Sequence, residues 1–330
     1  MGKFLTFLLL AGFAFAVSAE TTGKNTEPEP FRIGVYMNDA SFAAAAMRSG
    51  EQPERFIGRH FRRLAENGVS LIVLTVRRED YLNDFFLPEI RKNGMSVILR
   101  YAGAYFSFER RSAGWSESAE NKRAKAAGDF ILKYRKNPSV KAFSLRDEIP
   151  RKHVGALLRY YAKVFAYSGN ARIFTLHSSL AAAAEQTAFD GEYFGAELFP
   201  FRCGGLGKTP SVTPDSALAG LRKFLTAFRK IAEKHDSPFI FVSAANSWIS
   251  ARYDYRDIDR KDPAAVRRLK EISAYAEEKR FGWNRTKYRD REHIWRWHHY
   301  RPPENCLRAV IWTGVLCGAK IILFKHYTPE

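Results

Sequence analysis

Arg55 to Val76 reads RFIGRHFRRLAENGVSLIVLTV, and this stretch decides the fold. Phe56, Ile57, His60, Phe61 and Leu64 recur at three- and four-residue spacing, which puts them on one face of a helix over Arg55–Glu66. Asn67-Gly68 then stops that helix, because glycine takes the left-handed C′ conformation without steric cost. Leu71–Val76 is continuously apolar rather than alternating, as expected of a parallel strand covered on both faces.

The same helix–stop–strand unit recurs on both sides of this stretch. Tyr81–Lys92, Asn93-Gly94 and Ser96–Tyr101 form the next. Asn121–Arg135 leads through Asn137-Pro138 to Lys141–Leu145, and Val154–Tyr167 through Gly169-Asn170 to Ala171–Leu176. Ser216–Lys234 leads through Asp236-Ser237-Pro238 to Phe239–Val242, and Cys306–Leu316 through Gly318 to Ile321–Phe324. Adding Phe31–Met37 and Tyr193–Leu198 brings the expected strands to eight. Strands alternating with helices predict a parallel sheet, and eight of them favour closure into a (β/α)8 TIM barrel. The competing open, doubly wound sheet usually carries a Gly-rich phosphate loop after its first strand, and Met37-Asn38-Asp39-Ala40 is nothing like one.

The expectation is therefore a single α/β domain over residues 31–330, with a long insertion at about 247–303. That insertion reads as a helix near Pro263–Arg280 followed by an aromatic, basic loop, and a long βα insertion normally overlies a barrel's active face. The sequence runs out at Tyr327-Thr328-Pro329-Glu330, so the helix after the eighth strand is expected to be absent or truncated.

Ahead of the barrel, Lys3, the apolar run Phe4–Val17 and the small-residue pattern Val17-Ser18-Ala19 read as a signal peptide over residues 1–19, cleaved before Glu20. Residues 20–30 read as a polar tether. The apolar run is shorter than the ~20 residues of a spanning helix, so the expected product is exported, periplasmic or extracellular, with no stable membrane anchor after cleavage. The formal charge of +18 suits anionic partners in general. Export, and the lack of zinc-finger spacing or an RNA-binding signature, argue against nucleic acid. Charges such as Arg55, Arg59, Arg62 and Arg63 are spread over helix faces and read mainly as a solvated surface, with an acidic glycan as a lesser alternative. Cys203, Cys306 and Cys317 have no metal-ligand spacing; Cys306 and Cys317 share one helix, about 16 Å apart, and cannot bridge. No cofactor and no metal are expected.

Barrel sites form where strands run into βα loops, and here the strand ends are polar. They offer Asn38 and Asp39, then Arg100 and Tyr101, then Arg146, Asp147 and Glu148, then His177, then Glu197 and Arg202, then Asn246 and Trp248, and finally Lys325, His326 and Tyr327. Charge at such positions is costly unless paired, so packing alone does not account for it. Glu148 and Glu197, from strands that end across one barrel mouth, suit glycoside hydrolysis, which needs two carboxyls flanking one bond; Asp147 is the alternative member. The competing explanations are that Asp147 and Glu148 open the next helix near Pro150, and that Glu197 pairs with Arg146 or Arg202. Aromatic rings stack on sugar faces, and Tyr105, Phe106, Trp115, Trp283, Trp295, Trp297, His298, His299 and Tyr300 supply them; ordinary packing is the competing explanation for each. His298-His299 lacks a carboxylate at helical spacing and does not read as a metal site.

Lys141-Ala142-Phe143-Ser144-Leu145-Arg146-Asp147-Glu148-Ile149-Pro150 resembles the strand-four D-E-P motif of bacterial (β/α)8 glycoside-hydrolase-like proteins, distant relatives of glycoside hydrolase clan A. Gly195-Ala196-Glu197-Leu198-Phe199-Pro200-Phe201 resembles their strand-six segment, and Pro303 to Lys320 their final helix and strand. The resemblance implies an exported glycosidase acting on a poly- or oligosaccharide. Glu148 would be the general acid with a raised pKa, and Arg100, Tyr101, His177, Asn246 and Tyr327 would line the sugar site, with Asn38, Trp248, Lys325 and His326 as further contacts. The clan places its nucleophile after strand seven, where this chain has Ser243-Ala244-Ala245-Asn246-Ser247 and no carboxylate. Either Glu197 or Asp147 takes that role, or the barrel binds carbohydrate without cleaving it.

Overall fold

The computed structural model describes residues 31–106, 116–186, 193–198, 214–244, 247–251, 286–287, 294–300 and 304–325. The expected leader and tether lie outside them. Eight strands form one parallel sheet: β1 (Arg32–Asn38), β2 (Val69–Val76), β3 (Ser96–Tyr101), β4 (Val140–Phe143), β5 (Phe174–His177), β6 (Tyr193–Glu197), β7 (Phe239–Ala244) and β11 (Ile321–Lys325). They are ordered β4-β3-β2-β1-β11-β7-β6-β5. The two ends of that order meet at the bridges Phe143–Ile173 and Asp147–Leu176, so the sheet closes into a (β/α)8 barrel with its seam between β4 and β5.

Helices cover the outside: α1 (Asp39–Ser49), α2 (Pro53–Glu66), α4 (Glu117–Tyr134), α5 (Val154–Ser168), α6 (Leu180–Gln186), α7 (Pro214–Lys234) and α8 (Glu304–Leu316). Between α2 and β3 the consecutive pieces Glu79–Tyr81, Leu82–Phe86 and Leu87–Lys92 make up α3, whose middle turn is π. Pro88 brings no N–H for the carbonyl of Asp84, and the turn ahead of it widens. The helix in the opening stretch buries Phe56, Ile57, His60, Phe61 and Leu64, the face that the periodicity predicts. Two helices are not foreseen by that periodicity. The first, α1, is rich in alanine, but Asn38 caps its start through Oδ1 and Gly50, at φ 67°, ends it. The second, α6, has only seven residues.

Two-residue alternation fixes which side chains fill the barrel. Its interior holds Tyr36, Leu71, Val73, Ile98, Ala142, Phe174, Leu176, Tyr193, Ile240, Val242, Ile321 and Leu323. Tyr36, Val73, Ile98 and Ala142 stand in register on four consecutive strands and form one layer of this core. Gly34 lies in the same interior row as Tyr36, where a Cβ would come within 2.4 Å of Leu323 and 2.6 Å of the Leu71 carbonyl. On four strands the interior row, followed one step toward the C-terminal end, reaches a polar residue: Arg100 after Ile98, Ser144 after Ala142, Glu197 after Tyr193 and Gly195, Lys325 after Ile321 and Leu323.

The chain divides into two compact units. One contains the residues up to Glu197, Phe224–Ser243 and Gly314 onward; the other contains Leu198–Lys223 and Ala244–Thr313. The second unit thus takes in more than the expected insertion. It includes the strands β8 (Ser247–Ala251), β9 (Thr286–Lys287) and β10 (Ile294–Tyr300), joined antiparallel in the order β8-β10-β9, the last two in the segment read above as a loop. Ile294–Tyr300 is rich in aromatics, and such residues suit a pleated ladder. The expected helix at Pro263–Arg280 lies outside the described residues. Among those residues no helix is long and apolar enough to cross a membrane, and Cys317 is buried with its Sγ 3.9 Å from the Thr226 hydroxyl.

Candidate active site

The site begins at the barrel seam. Between its two bridges β4 and its continuation run from Phe143 to Asp147 while β5 runs only from Ile173 to Leu176, so the fourth strand carries one extra residue. Such a bulge re-aims the side chains beyond it. Ser144 and Asp147 therefore meet on the same side, with Ser144 Oγ donating to Asp147 Oδ1 at 3.0 Å. Arg100 Nη1 donates to Asp147 Oδ2 at 2.5 Å. The Asp147 N–H donates to the Tyr105 hydroxyl at 2.5 Å. Asp147 is thereby held from three sides while buried.

Glu148 follows with φ 50°, a left-handed conformation uncommon for a residue with a Cβ. Its N–H is fixed on the Leu176 carbonyl at 2.8 Å, which turns the chain there. The helical structure after it starts only at Arg151, so neither Asp147 nor Glu148 caps a helix. The Glu148 side chain is half exposed and lies 3.8 Å from the ammonium of Lys325.

Lys325 joins the two carboxyls. Its Nζ donates to Glu197 Oε2 at 2.5 Å and lies close against Oε1 as well. Glu197 is 1% exposed. Burial raises its pKa to about 8 against the opposing Lys325 ammonium, and the adjacent Glu148 carboxyl adds to the rise by charge and hydrogen bonding. A raised carboxyl thus stands at Glu197, the residue expected to act as partner to Glu148. The competing explanation paired Glu197 with Arg146 or Arg202; Arg202 lies outside the described residues, and Arg146 Nη1 donates to the Phe106 carbonyl at 3.2 Å.

Around this centre Arg100 and Arg146 both lie over the Tyr105 ring, 4.4 and 5.1 Å from its centroid. Tyr105 is therefore part of the scaffold for Asp147 rather than a bare stacking face, and Phe106 is fully buried against Tyr160. Asp147 keeps the Arg100 pKa raised, against the effect of burial.

The other expected contacts separate by strand parity. Tyr101 and His177 each follow an inward residue, so both face the helical layer. Tyr101 stacks on Phe130 of α4 at 4.6 Å and 2°. His177 is buried between Phe194 and Phe228 of α7, at 5.1 and 6.0 Å. Burial depresses its pKa to about 3, so it stays neutral. Asn38 spends its Oδ1 on the Ala40 N–H at 2.9 Å. Asp39 accepts from the N–H groups of Arg77 and Arg78 at 2.6 and 2.8 Å, tying the first βα loop to the second. Trp248 is placed by backbone alone, in β8 of the second unit, as are Trp295, Trp297, His298, His299 and Tyr300 in β10. Trp115, Asn246, Trp283, His326 and Tyr327 lie outside the described residues. Two residues at the centre escaped the strand-end reading: Ser144, the donor to Asp147, and Tyr36, an interior residue below the strand ends, whose hydroxyl feels the charges of Asp147 and Glu197.

No protein-family model and no curated protein sequence matches the chain. Solved structures do. A candidate alpha-L-fucosidase from Bacteroides thetaiotaomicron VPI-5482 is similar over 94% of this chain and 91% of its own, at 11% identity and TM-score 0.50. A GH99 endo-alpha-mannosidase from Bacteroides thetaiotaomicron is similar over 89% of this chain and 82% of its own, at 13% identity and TM-score 0.47. Both are glycoside hydrolases, and at 11% identity the likeness to the first speaks to the barrel fold alone.

Proposed function

We propose that this protein is an exported glycosidase that cleaves an O-glycosyl bond in a poly- or oligosaccharide. The observation that carries the reading is the meeting of Glu148 and Glu197 on the ammonium of Lys325, at the barrel end where such folds do their chemistry. Glycoside cleavage needs one carboxyl that is protonated at working pH and one that is not. Glu197 suits the first role, since burial keeps its proton on near neutral pH. Glu148, half exposed and reached from solvent, suits the second: it meets the sugar carbon or the attacking water. Lys325 balances the charge of the pair. Asp147, held by Arg100, Ser144 and Tyr105, anchors the turn that presents Glu148. Export rests on Lys3, the apolar run Phe4–Val17 and the small residues ending at Ala19.

A second reading, a barrel that binds carbohydrate without cleaving it, is favoured by the same lysine, which already occupies both carboxyls, and by the lack of a carboxylate in Ser243–Ser247. Product analysis against a glycan panel separates the two. The hydrolase reading expects released sugar from the wild type and a loss of about 10²–10⁴-fold in Glu148→Gln and in Glu197→Gln. Binding without release supports the second reading, and full turnover by Glu148→Gln removes that residue from the chemistry.

A further inference from the structure

Tyr36 takes no part in the chemistry above, yet it stands beneath it. It occupies the inward row of β1, in register with Val73, and its ring packs 6.5 Å from Phe174 inside the barrel. Its hydroxyl is buried and has no hydrogen-bond partner among the described residues. Arg100 stands one inward step beyond Ile98, which is in register with Val73 and Tyr36, so the ring lies one layer below the strand ends that carry the carboxyl cluster, and the groups whose charges act on its hydroxyl are Asp147, Glu197, Arg100 and Tyr105. Burial raises its pKa, and the charges of Asp147 and Glu197 raise it further against Arg100, so the group remains an O–H donor. A buried donor with no acceptor costs stability, and phenylalanine would fill the same volume without that cost. A group of this kind beneath a functional cluster points to an acceptor that arrives with a ligand.

We propose that Tyr36 is a substrate-contact residue, the floor donor of the site, whose hydroxyl gives a hydrogen bond to a ring hydroxyl of the sugar held among Glu148, Glu197 and Lys325. The proposal rests on the glycosidase reading and deepens it, since it gives the site a means of choosing among sugars. A pocket group that must pair with a substrate hydroxyl rejects the analogue lacking it, because the pocket group is then left unpaired.

The test compares wild type with Tyr36→Phe in the full chain. It measures thermal midpoints without ligand, then KM and kcat on the glycan that the panel identifies and on analogues each lacking one ring hydroxyl. The expected variant has an unchanged or higher midpoint, a KM raised about tenfold and a smaller change in kcat. Wild type should disfavour one deoxy analogue by about the same factor, and the variant should treat that analogue like the parent sugar. A lower midpoint, or failure to fold, means that the hydroxyl serves a protein carboxylate and overturns the proposal. So does a wild type indifferent to every deoxy analogue. An active wild type with an equally active, equally selective Tyr36→Phe removes Tyr36 alone; a wild type that turns over no glycan removes the glycosidase reading and the floor donor with it.

Discussion

Lys325 lies against both oxygens of Glu197 and 3.8 Å from Glu148, so one ammonium serves two carboxyls. Charge balance then favours a single negative charge on the pair, and burial assigns the proton to Glu197. The consequence for stability has a definite sign. A carboxyl whose folded pKa is raised from 4.5 to about 8 binds its proton more tightly in the native state. Its contribution is fully present below pH 4.5 and is lost as pH rises through 8. Urea unfolding between about pH 6.5 and 8, above the ordinary histidine pKa, should show stability falling with pH, and Glu197→Gln should flatten the fall. Lys325→Met should carry the fall to higher pH, because the ammonium holds the Glu197 pKa down. The variant should lose less than the ~3–5 kcal/mol typical of a broken buried ion pair, because Glu197 can take up a proton instead. A Lys325→Met protein whose fall ends at the wild-type pH would show that the ammonium does not govern the pair.

At the scale of the element, the bulged end of the fourth strand does most of the positioning. One extra residue between the bridges turns Asp147 toward Ser144 and Arg100, and leaves Glu148 in the left-handed region. That conformation costs about 1–3 kcal/mol for a side chain with a Cβ, whereas glycine adopts it freely. Glu148→Gly should therefore hold or raise the thermal midpoint while abolishing turnover; a clear loss of midpoint would mean that the carboxyl supports the fold. The recurring helix–stop–strand units made the barrel legible, because each depends on spacing within some twenty residues. The bulge was not legible, since it depends on pairing between β4 and β5. Parity could have sorted the strand ends: Arg100 follows Ile98 inward, so Tyr101 faces out; His177 follows Leu176 and likewise faces the helices. The same alternation marks Lys325 and Tyr36 as interior. α1 was hidden because its alanines give little amphipathic contrast, although its caps, Asn38 and Gly50, stand in plain view.

At the scale of the whole molecule, two buried imidazoles oppose acid. Burial lowers His177 to about 3, and burial with Arg59 and Arg63 lowers His60 to about 4. A histidine depressed in the fold contributes stability above its unfolded pKa of about 6.5, and that contribution is lost as pH falls toward the folded value. With Glu197 acting in the opposite direction, stability should peak between the two limbs. His177→Phe should flatten the acid limb without loss at pH 7, because both ring nitrogens lack partners among the described residues; an unchanged acid limb would place its cause elsewhere. The central claim, that Glu148 and Glu197 form a coupled acid–carboxylate pair on Lys325, needs no substrate for its most direct test. Carbon-13 NMR titration of the glutamate side-chain carboxyls, with Glu197→Gln to assign the signal, should show one carboxyl titrating near 8 that disappears in the variant. A full set of glutamates titrating near the ordinary value of about 4.3 would contradict it.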